Sequence, residues 1–361
     1  MRPPRLLFVG DADSVHLQRW VREMRARGAE CHVLTRRPAP LDAATLHVVR
    51  PGDDAPGWLL ALPRVRRVAA TVGPDLVHGH YVTSNGLWAA ACGVRPCVIT
   101  AWGSDLLVTP RESRLKHALT GWILRRADLL TGDSADLIDA MRGHGVAAPC
   151  HEVLWGADTD RFVPPAQPRD RRVFTLVSLR QWLPNYHVDV ILQAVARLHR
   201  REPAAPLRLR LLGGGALEPV LRDQAAALGL LEPGAEVAEF VGRVDDARLV
   251  AALQAADVSI SVPASDATSV ALLESLACGC AVVVSDLAAN RAWVDDAGGL
   301  RVPAGDAVAL AEALHALWRD RDRTAAMGAH NRGVALARAS RRAQMDRMWR
   351  LYLQLLGRDG G

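Results

Sequence analysis

Lysine is nearly absent from this 361-residue chain: Lys116 stands alone among 44 basic residues, the rest being arginine. The cations exceed the 39 acids by only five, and the excess is dispersed. That balance offers no basic groove for nucleic acid, and an aromatic content of 5% leaves little for base stacking. Abundant Arg and Ala read as a GC-rich coding bias rather than as the mark of a partner. Paired cysteines are lacking as well. Cys31, Cys92, Cys97, Cys150, Cys278 and Cys280 are scattered, with no CxxC beside a histidine cluster, so they read as reduced thiols rather than a metal site or disulfide framework. No window approaches the roughly 18 apolar residues of a membrane span. The opening MRPPRLLFVGDAD has an apolar run of five before two aspartates, too short for a signal peptide. The expected location is the cytoplasm, at the inner face of the membrane if a basic helix docks there.

Half of the residues are hydrophobic, and the length suits two domains of roughly 100–200 residues each. Short apolar runs alternate with amphipathic stretches: LLFVG then SVHLQRWVREMRARG, DLVHGH then TSNGLWAAACG, CVIT then RLKHALTGWILRRA. The pattern resumes with VFTLVSL, VDVILQAVARLHR, LRLRLLGGG, VSISVP and AVVVSD. Apolar strands separated by crossover helices predict parallel βαβ units buried on both faces. Between the two series, FVPPAQPRDRR (162–172) cannot continue a strand or helix. The expectation is two doubly wound Rossmann-like α/β domains, 1–165 and 171–361, the second ending in a helical tail of DAVALAEALHALWRD and a run from about Arg323 to Leu356, for which capping the second domain and reaching back to the first are both open.

Open parallel sheets bind ligands beyond the carboxyl ends of their strands, which selects residues just after each apolar run. VSISVP is followed by SDATSVALLESLACG, with Asp266 and Glu274 around an apolar stretch. If Thr268 or Ser269 caps the helix, the amides near Ser269 and Val270 form an anion site. The plain alternative is a helix with one solvated acid at each end. LLGGG opens a helix after a strand, but Glu218 occupies the last place of a dinucleotide fingerprint that begins at Gly213. GDADSVHLQRW brings Asp13, Ser14 and His16 to the first strand end, where Ser14 also reads as an N-cap. His78 and His80 share one face of a strand end; acceptor contact by His80 is preferred to a metal pair. The helix RLKHALTGWILRRA is basic on one face and carries Trp122 and leucines on the other, so a core face and a membrane-docking face are both open.

PASDATSVALLESLACGCAVVVSD resembles the donor-binding signature of the family-4 retaining glycosyltransferases, whose fold is the two-Rossmann-domain GT-B arrangement. VLWGADTDRFVP (153–164) resembles the family's closing strand of the first domain. LVSLRQWLPNYHVDVILQAVARL (176–198), LLGGGALEPVLRDQAAALGL and VAEFVGRVDDARLVAALQAADVSISVP follow in family order. The resemblance implies transfer of a sugar from a nucleoside diphosphate sugar to an acceptor hydroxyl with retention, in glycan, glycolipid or glycoconjugate biosynthesis, with no metal or other cofactor. It implies Asp266 beside the sugar, Glu274 on the ribose, and Arg180, Thr268, Ser269, Val270, Gly213 and Arg243 around the donor. Asp13, Ser14, His16, His80 and Trp102 fall on the acceptor side, and Asp266, Arg180 and Asp105 are the expected catalytic groups. Two places depart from the pattern. The usual phosphate-binding lysine falls among Asn185, Tyr186 and His187, and Trp102 stands where many relatives place a histidine. A catalytically silent nucleotide-sugar-binding module and an epimerase of the same fold are the alternatives.

Overall fold

The computed structural model describes residues 2–51, 55–232 and 237–358. It divides into two units: the chain up to Trp155 together with the segment from Arg342 onward, and Gly156–Arg341.

The first unit is built on a parallel sheet of β1 (Arg5–Val9), β2 (Glu30–Thr35), β3 (Thr45–Val48), β4 (Leu76–His80), β5 (Cys97–Thr100), β6 (Leu129–Gly132) and β7 (Cys150–Glu152), in the order β3-β2-β1-β4-β5-β6-β7. The second holds β8 (Phe174–Ser178), β9 (Leu207–Leu212), β10 (Ala238–Gly242), β11 (Val258–Ser261), β12 (Ala281–Ser285) and β13 (Gly299–Val302), in the order β10-β9-β8-β11-β12-β13. Central strands such as β8 and β12 are buried at every position, as unbroken apolar runs require, whereas the edge strand β3 is half exposed. Strand order reverses between β1 and β4 in one sheet and between β8 and β11 in the other. These switch points open a crevice beyond the strand ends, because crossover helices leave in opposite directions.

Two expectations differ from the structure. The closing strand of the first sheet is Cys150–Glu152, just before the stretch 153–164, which runs as loop with one bridge from Ala157 to Ser340. The tail after residue 306 forms the helices Ala307–Arg319, Arg321–Arg338 and Arg341–Leu355, and the last of them groups with the first unit rather than the second. Packing explains the grouping: Met345, Met348 and Tyr352 are buried with Leu6, Phe8, Trp20 and Met24 in one apolar cluster. The Trp20 indole N–H also donates to the Tyr352 hydroxyl at 3.1 Å. The chain leaves the second unit where Gly156 crosses Ala339–Arg341. A Cβ at Gly156 would lie 2.6 Å from the Arg341 Cα, and its φ of +66° is left-handed, so glycine is needed there.

Candidate functional site

In the second unit the switch point brings together residues about 86 positions apart in sequence. Arg180 lies two residues past β8, and the segment after β11 carries Asp266 and Ser269. Because β8 and β11 pair in register through Val258 with Leu176 and Ser259 with Val177, both strand ends open on the same crevice. Arg180 is 8% exposed. Its Nη1 donates to Ser269 Oγ at 2.5 Å and its Nη2 to Asp266 Oδ2 at 2.7 Å. The guanidinium stacks on Tyr186 at 4.4 Å from the ring centroid, and Asn185 ties the same loop to the Ser265 carbonyl at 2.9 Å. Two of the residues at the missing-lysine position therefore hold the arginine loop instead of adding charge. Burial raises the Asp266 carboxyl above its ordinary pKa, and Arg180 opposes that shift.

Ser269 caps the helix Val270–Ala277, its hydroxyl accepting from the Leu272 N–H. Thr268, half-buried, precedes the cap. This decides between the two capping candidates and leaves the amide end of the helix beside Arg180, where the helix dipole favours an anion. Glu274 lies in the buried part of the helix at 4% exposure, which excludes the solvated-acid alternative. Two arginines that sequence reasoning missed hold the carbonyl end. Arg332 donates to the carbonyls of Ala277 and Phe162, at 2.9 and 2.8 Å, and Arg169 to that of Cys278 at 2.8 Å. Their partners are backbone atoms, which leave no residue-type signal.

The glycine run after β9 supports the arginine loop sterically. A Cβ on Gly213 would meet the Arg180 carbonyl oxygen at 2.3 Å, and one on Gly215 would meet that of Trp182 at 2.3 Å. Exposed Arg243 lies against the same run, with its Nε 3.4 Å from where a Gly214 Cβ would stand.

In the first unit the switch point between β1 and β4 holds a pocket of about 440 Å³ lined by Asp11, Asp13, Ser14, Arg36, Arg37, His80, Tyr81, Ser84, Asn85 and Trp102. Ser14 begins the helix Val15–Ala26 without a side-chain cap bond. His16 packs on Trp102 and Trp155, with centroids 5.9 and 5.0 Å away. Sequence reasoning missed Arg36, Arg37 and Asn85, although the rule that selected residues past strand ends also points to the two arginines, which directly follow β2.

The two strand-end histidines separate in role. The Tyr352 hydroxyl accepts from Trp20 and is hydrogen-bonded to His78 Nδ1, 2.5 Å away, while His78 Nε2 is hydrogen-bonded to Thr100 Oγ1 at 2.6 Å. His78 is thereby fully used in the fold. His80 is equally buried, yet neither of its ring nitrogens has a hydrogen-bond partner. Burial lowers its pKa to about 3, so the ring is neutral at physiological pH. Asn85 Oδ1 and Trp102 Nε1, which line the same pocket, are also unpartnered. Each such group costs about 1–3 kcal/mol while it stays unpaired. No group of three or more His, Cys, Asp or Glu arranged to hold a metal occurs among the described residues.

Asp105 is fully buried, and its oxygens accept from the backbone N–H groups of Val82 at 2.7 Å, Trp102 at 3.0 Å and Gly103 at 2.9 Å. Burial raises its pKa against those bonds. Here Asp105 pins the loops after β4 and β5 together and fixes the backbone of Trp102. The helix Arg114–Arg125 buries Thr120, Gly121, Ile123 and Leu124, while Leu115 is 79% exposed and Trp122 38%. Trp122 and Leu115 are therefore not its core face. Among the described residues no helix is long and apolar enough to cross a membrane.

Comparison with known proteins follows the same division. The family model described as "Glycosyl transferase 4-like" matches residues 5–134, and that described as "Glycosyl transferases group 1" matches residues 171–320. A phosphatidyl-myo-inositol mannosyltransferase of Mycobacterium leprae is 30% identical over 338 residues, covering 87% of this chain and 86% of the relative. A D-inositol 3-phosphate glycosyltransferase of Nocardia farcinica is 29% identical, covering 91% and 83%. Among solved structures, Anabaena HepE in complex with UDP superposes with a TM-score of 0.80 at 15% identity, covering 98% of this chain and all of that one.

Proposed function

The chain belongs to the group 1, family-4 type glycosyltransferases of GT-B fold, and from that premise we propose that it takes a sugar from a nucleoside diphosphate sugar and passes it, with retention, to an acceptor hydroxyl in glycolipid or glycan biosynthesis. The observation that carries the donor assignment is the convergence of Arg180, Asp266 and the Ser269-capped helix at the β8–β11 switch point.

Breaking the anomeric C–O bond leaves positive charge on the sugar and negative charge on the departing diphosphate, and a site accelerates transfer by meeting both. Arg180, whose planar fork suits two phosphate oxygens, takes the diphosphate with the amides at Ser269 and Val270. Glu274 takes the ribose hydroxyls, and Asp266 those of the sugar. Thr268, Gly213 and Arg243 shape the surrounding loops. The acceptor oxygen bonds to the anomeric carbon on the face the diphosphate leaves, and its proton passes to the departing phosphate oxygen. The chemistry asks for no metal or organic cofactor. Asp105 acts as a positioning residue for Trp102 on the acceptor side.

We also place a peripheral membrane contact on the helix Arg114–Arg125 and the turn before it. Exposed Val108, Leu115 and Trp122 lie there among Arg111, Arg114, Lys116 and Arg125, the combination that seats a helix in an anionic lipid surface. The phosphatidyl acceptor in the name of the Mycobacterium leprae relative is consistent with such a location.

The test is transfer itself: a panel of nucleotide sugars is incubated with candidate acceptors in EDTA, and the product's anomeric configuration is read by NMR. A product with the donor's configuration, formed in EDTA, is the expected result. Inversion refutes retention, and a requirement for added magnesium refutes metal independence.

A further inference from the structure

The pocket at the β1–β4 switch point carries chemistry that the donor assignment leaves unused. Both ring nitrogens of His80, Asn85 Oδ1 and Trp102 Nε1 are buried there without a partner, and His80 and Asn85 are 0% and 4% exposed. The turn that brings them together is strained. Tyr81 sits at φ +81°, held by its N–H on the Thr100 carbonyl at 3.0 Å and by its own carbonyl, which accepts from Gly86 at 2.8 Å. Strain of this kind persists where surrounding structure enforces it, and it marks functional turns.

The Trp102 indole only donates, Asn85 Oδ1 only accepts, and a neutral imidazole offers one of each. Asp11 Oδ1, buried at the same pocket without a hydrogen bond, adds a second acceptor. Hydroxyl groups, which donate and accept, suit all of these atoms. A phosphate or carboxylate accepts only, and would set its oxygens against Asn85 Oδ1 and the bare imidazole nitrogen. Charge at the rim points the same way. Arg36 lies 3.4 Å from Asp11, and Arg37 lies 3.7 Å from both Asp11 and Asp13, so the two cations already face two carboxylates. A volume of about 440 Å³ is in the range of small-ligand pockets.

We propose that this pocket binds the acceptor and that the moiety it holds is an uncharged ring polyol, a hexopyranose or a cyclitol, recognised through His80, Asn85 and Trp102. The proposal rests on the glycosyltransferase reading of the preceding section. It extends that reading from "a hydroxyl" to a class of molecule, and it excludes a charged group from the pocket itself.

The test titrates the full chain, with nucleoside diphosphate present, against glucose, mannose and myo-inositol and against glucose 6-phosphate and myo-inositol 1-phosphate, following tryptophan fluorescence. At least one neutral polyol is expected to bind with millimolar or lower Kd, and its phosphate at least about tenfold more weakly. Asn85→Leu should weaken the polyol about tenfold or more, because it leaves a ligand hydroxyl without an acceptor. Trp102→Phe, which removes the indole N–H and keeps an aromatic ring, should weaken the polyol likewise and supplies a second variant should the first not fold. Stabilisation by nucleoside diphosphate, measured on the same samples, reports the donor site separately. If that stabilisation is present while no neutral polyol binds, or the phosphate binds better, or Asn85→Leu leaves affinity unchanged, the acceptor assignment is overturned and the donor reading stands. If nucleoside diphosphates fail to stabilise the protein, it is the donor reading that falls.

Discussion

Replacing Asp266 by Asn should tighten the binding of nucleoside diphosphate while depressing transfer, a pairing that follows from the geometry at β8 and β11. Arg180 Nη2 lies 2.7 Å from Asp266 Oδ2, so the carboxylate occupies the arginine that a diphosphate needs. Two unit charges about 4 Å apart attract by about 4 kcal/mol at an effective dielectric constant of 20. The Asp266 side chain is 21% exposed, and water takes back part of that attraction. A net gain of about 1.4 kcal/mol, or a tenfold lower Kd, is the expected remainder. Turnover should drop by about two to three orders of magnitude, since the group beside the developing charge is gone. Stability should change little. The folded-state pKa of Asp266 lies above its ordinary 3.8, so the folded protein holds this proton more tightly than the unfolded chain, and ionisation costs stability as pH rises past 3.8. A neutral isostere removes that cost while forfeiting the ion pair, and Tm should fall by no more than about 4 °C. Calorimetric titration of both proteins with the same nucleoside diphosphate decides the matter. Weaker binding by Asp266→Asn, with Tm preserved, would refute the view that Asp266 competes for Arg180.

Gly215→Ala drives a Cβ to 2.3 Å from the Trp182 carbonyl oxygen; it should cost about 1–3 kcal/mol of stability and lower kcat by displacing the Arg180 loop, seen as a reduced Tm and slower turnover in the same preparation. His80 should make the protein acid-sensitive. Burial lowers its pKa from 6.5 to about 3, so between those values the unfolded chain takes up a proton that the folded protein refuses, and stability falls by about 1.4 kcal/mol per pH unit as pH drops. His80→Phe should flatten the slope of denaturation midpoint against pH over that range, and an unchanged slope would show that His80 does not titrate in this way. Membrane contact is checked by co-sedimentation with phosphatidylglycerol vesicles: wild type is expected in the pellet at low salt, and a Leu115→Ser/Trp122→Ser double variant in the supernatant.

The strand series was legible because doubly covered strands admit no polar alternation, and Asp266 and Ser269 because they lie in the segment after such a strand. The roles of Arg180 and Glu274 were implied by the family resemblance. The contacts among these residues were not legible, since the Arg180–Asp266 pair joins two separate loops and depends on which strand lies next to β8. The last helix shows the same limit. Residues 341–355 fall within the run from about Arg323 to Leu356 that the sequence marks as helical, but only tertiary packing of Tyr352 against Trp20 and His78 assigns them to the first unit. The family resemblance implied a catalytic Asp105, and its three bonds to backbone N–H groups give it a role in holding the loops that no residue pattern announces. The sequence favoured His80 over a His78–His80 metal pair, and the hydrogen-bond chain through Tyr352 supplies the physical reason that the two histidines differ.

The central claim, that the second unit binds a nucleoside diphosphate through Arg180, the Ser269-capped helix and Glu274, is tested most directly by thermal denaturation with UDP, GDP, ADP and dTDP, comparing wild type with Glu274→Gln. At a hundred times its Kd a ligand stabilises by about 2.7 kcal/mol, equivalent to about 5–11 °C for a unit of this size. One of the four nucleotides should produce a shift of that order in wild type, and Glu274→Gln should lose most of it. Absence of a shift with all four, or an equal shift in the Glu274→Gln protein, would contradict the assignment.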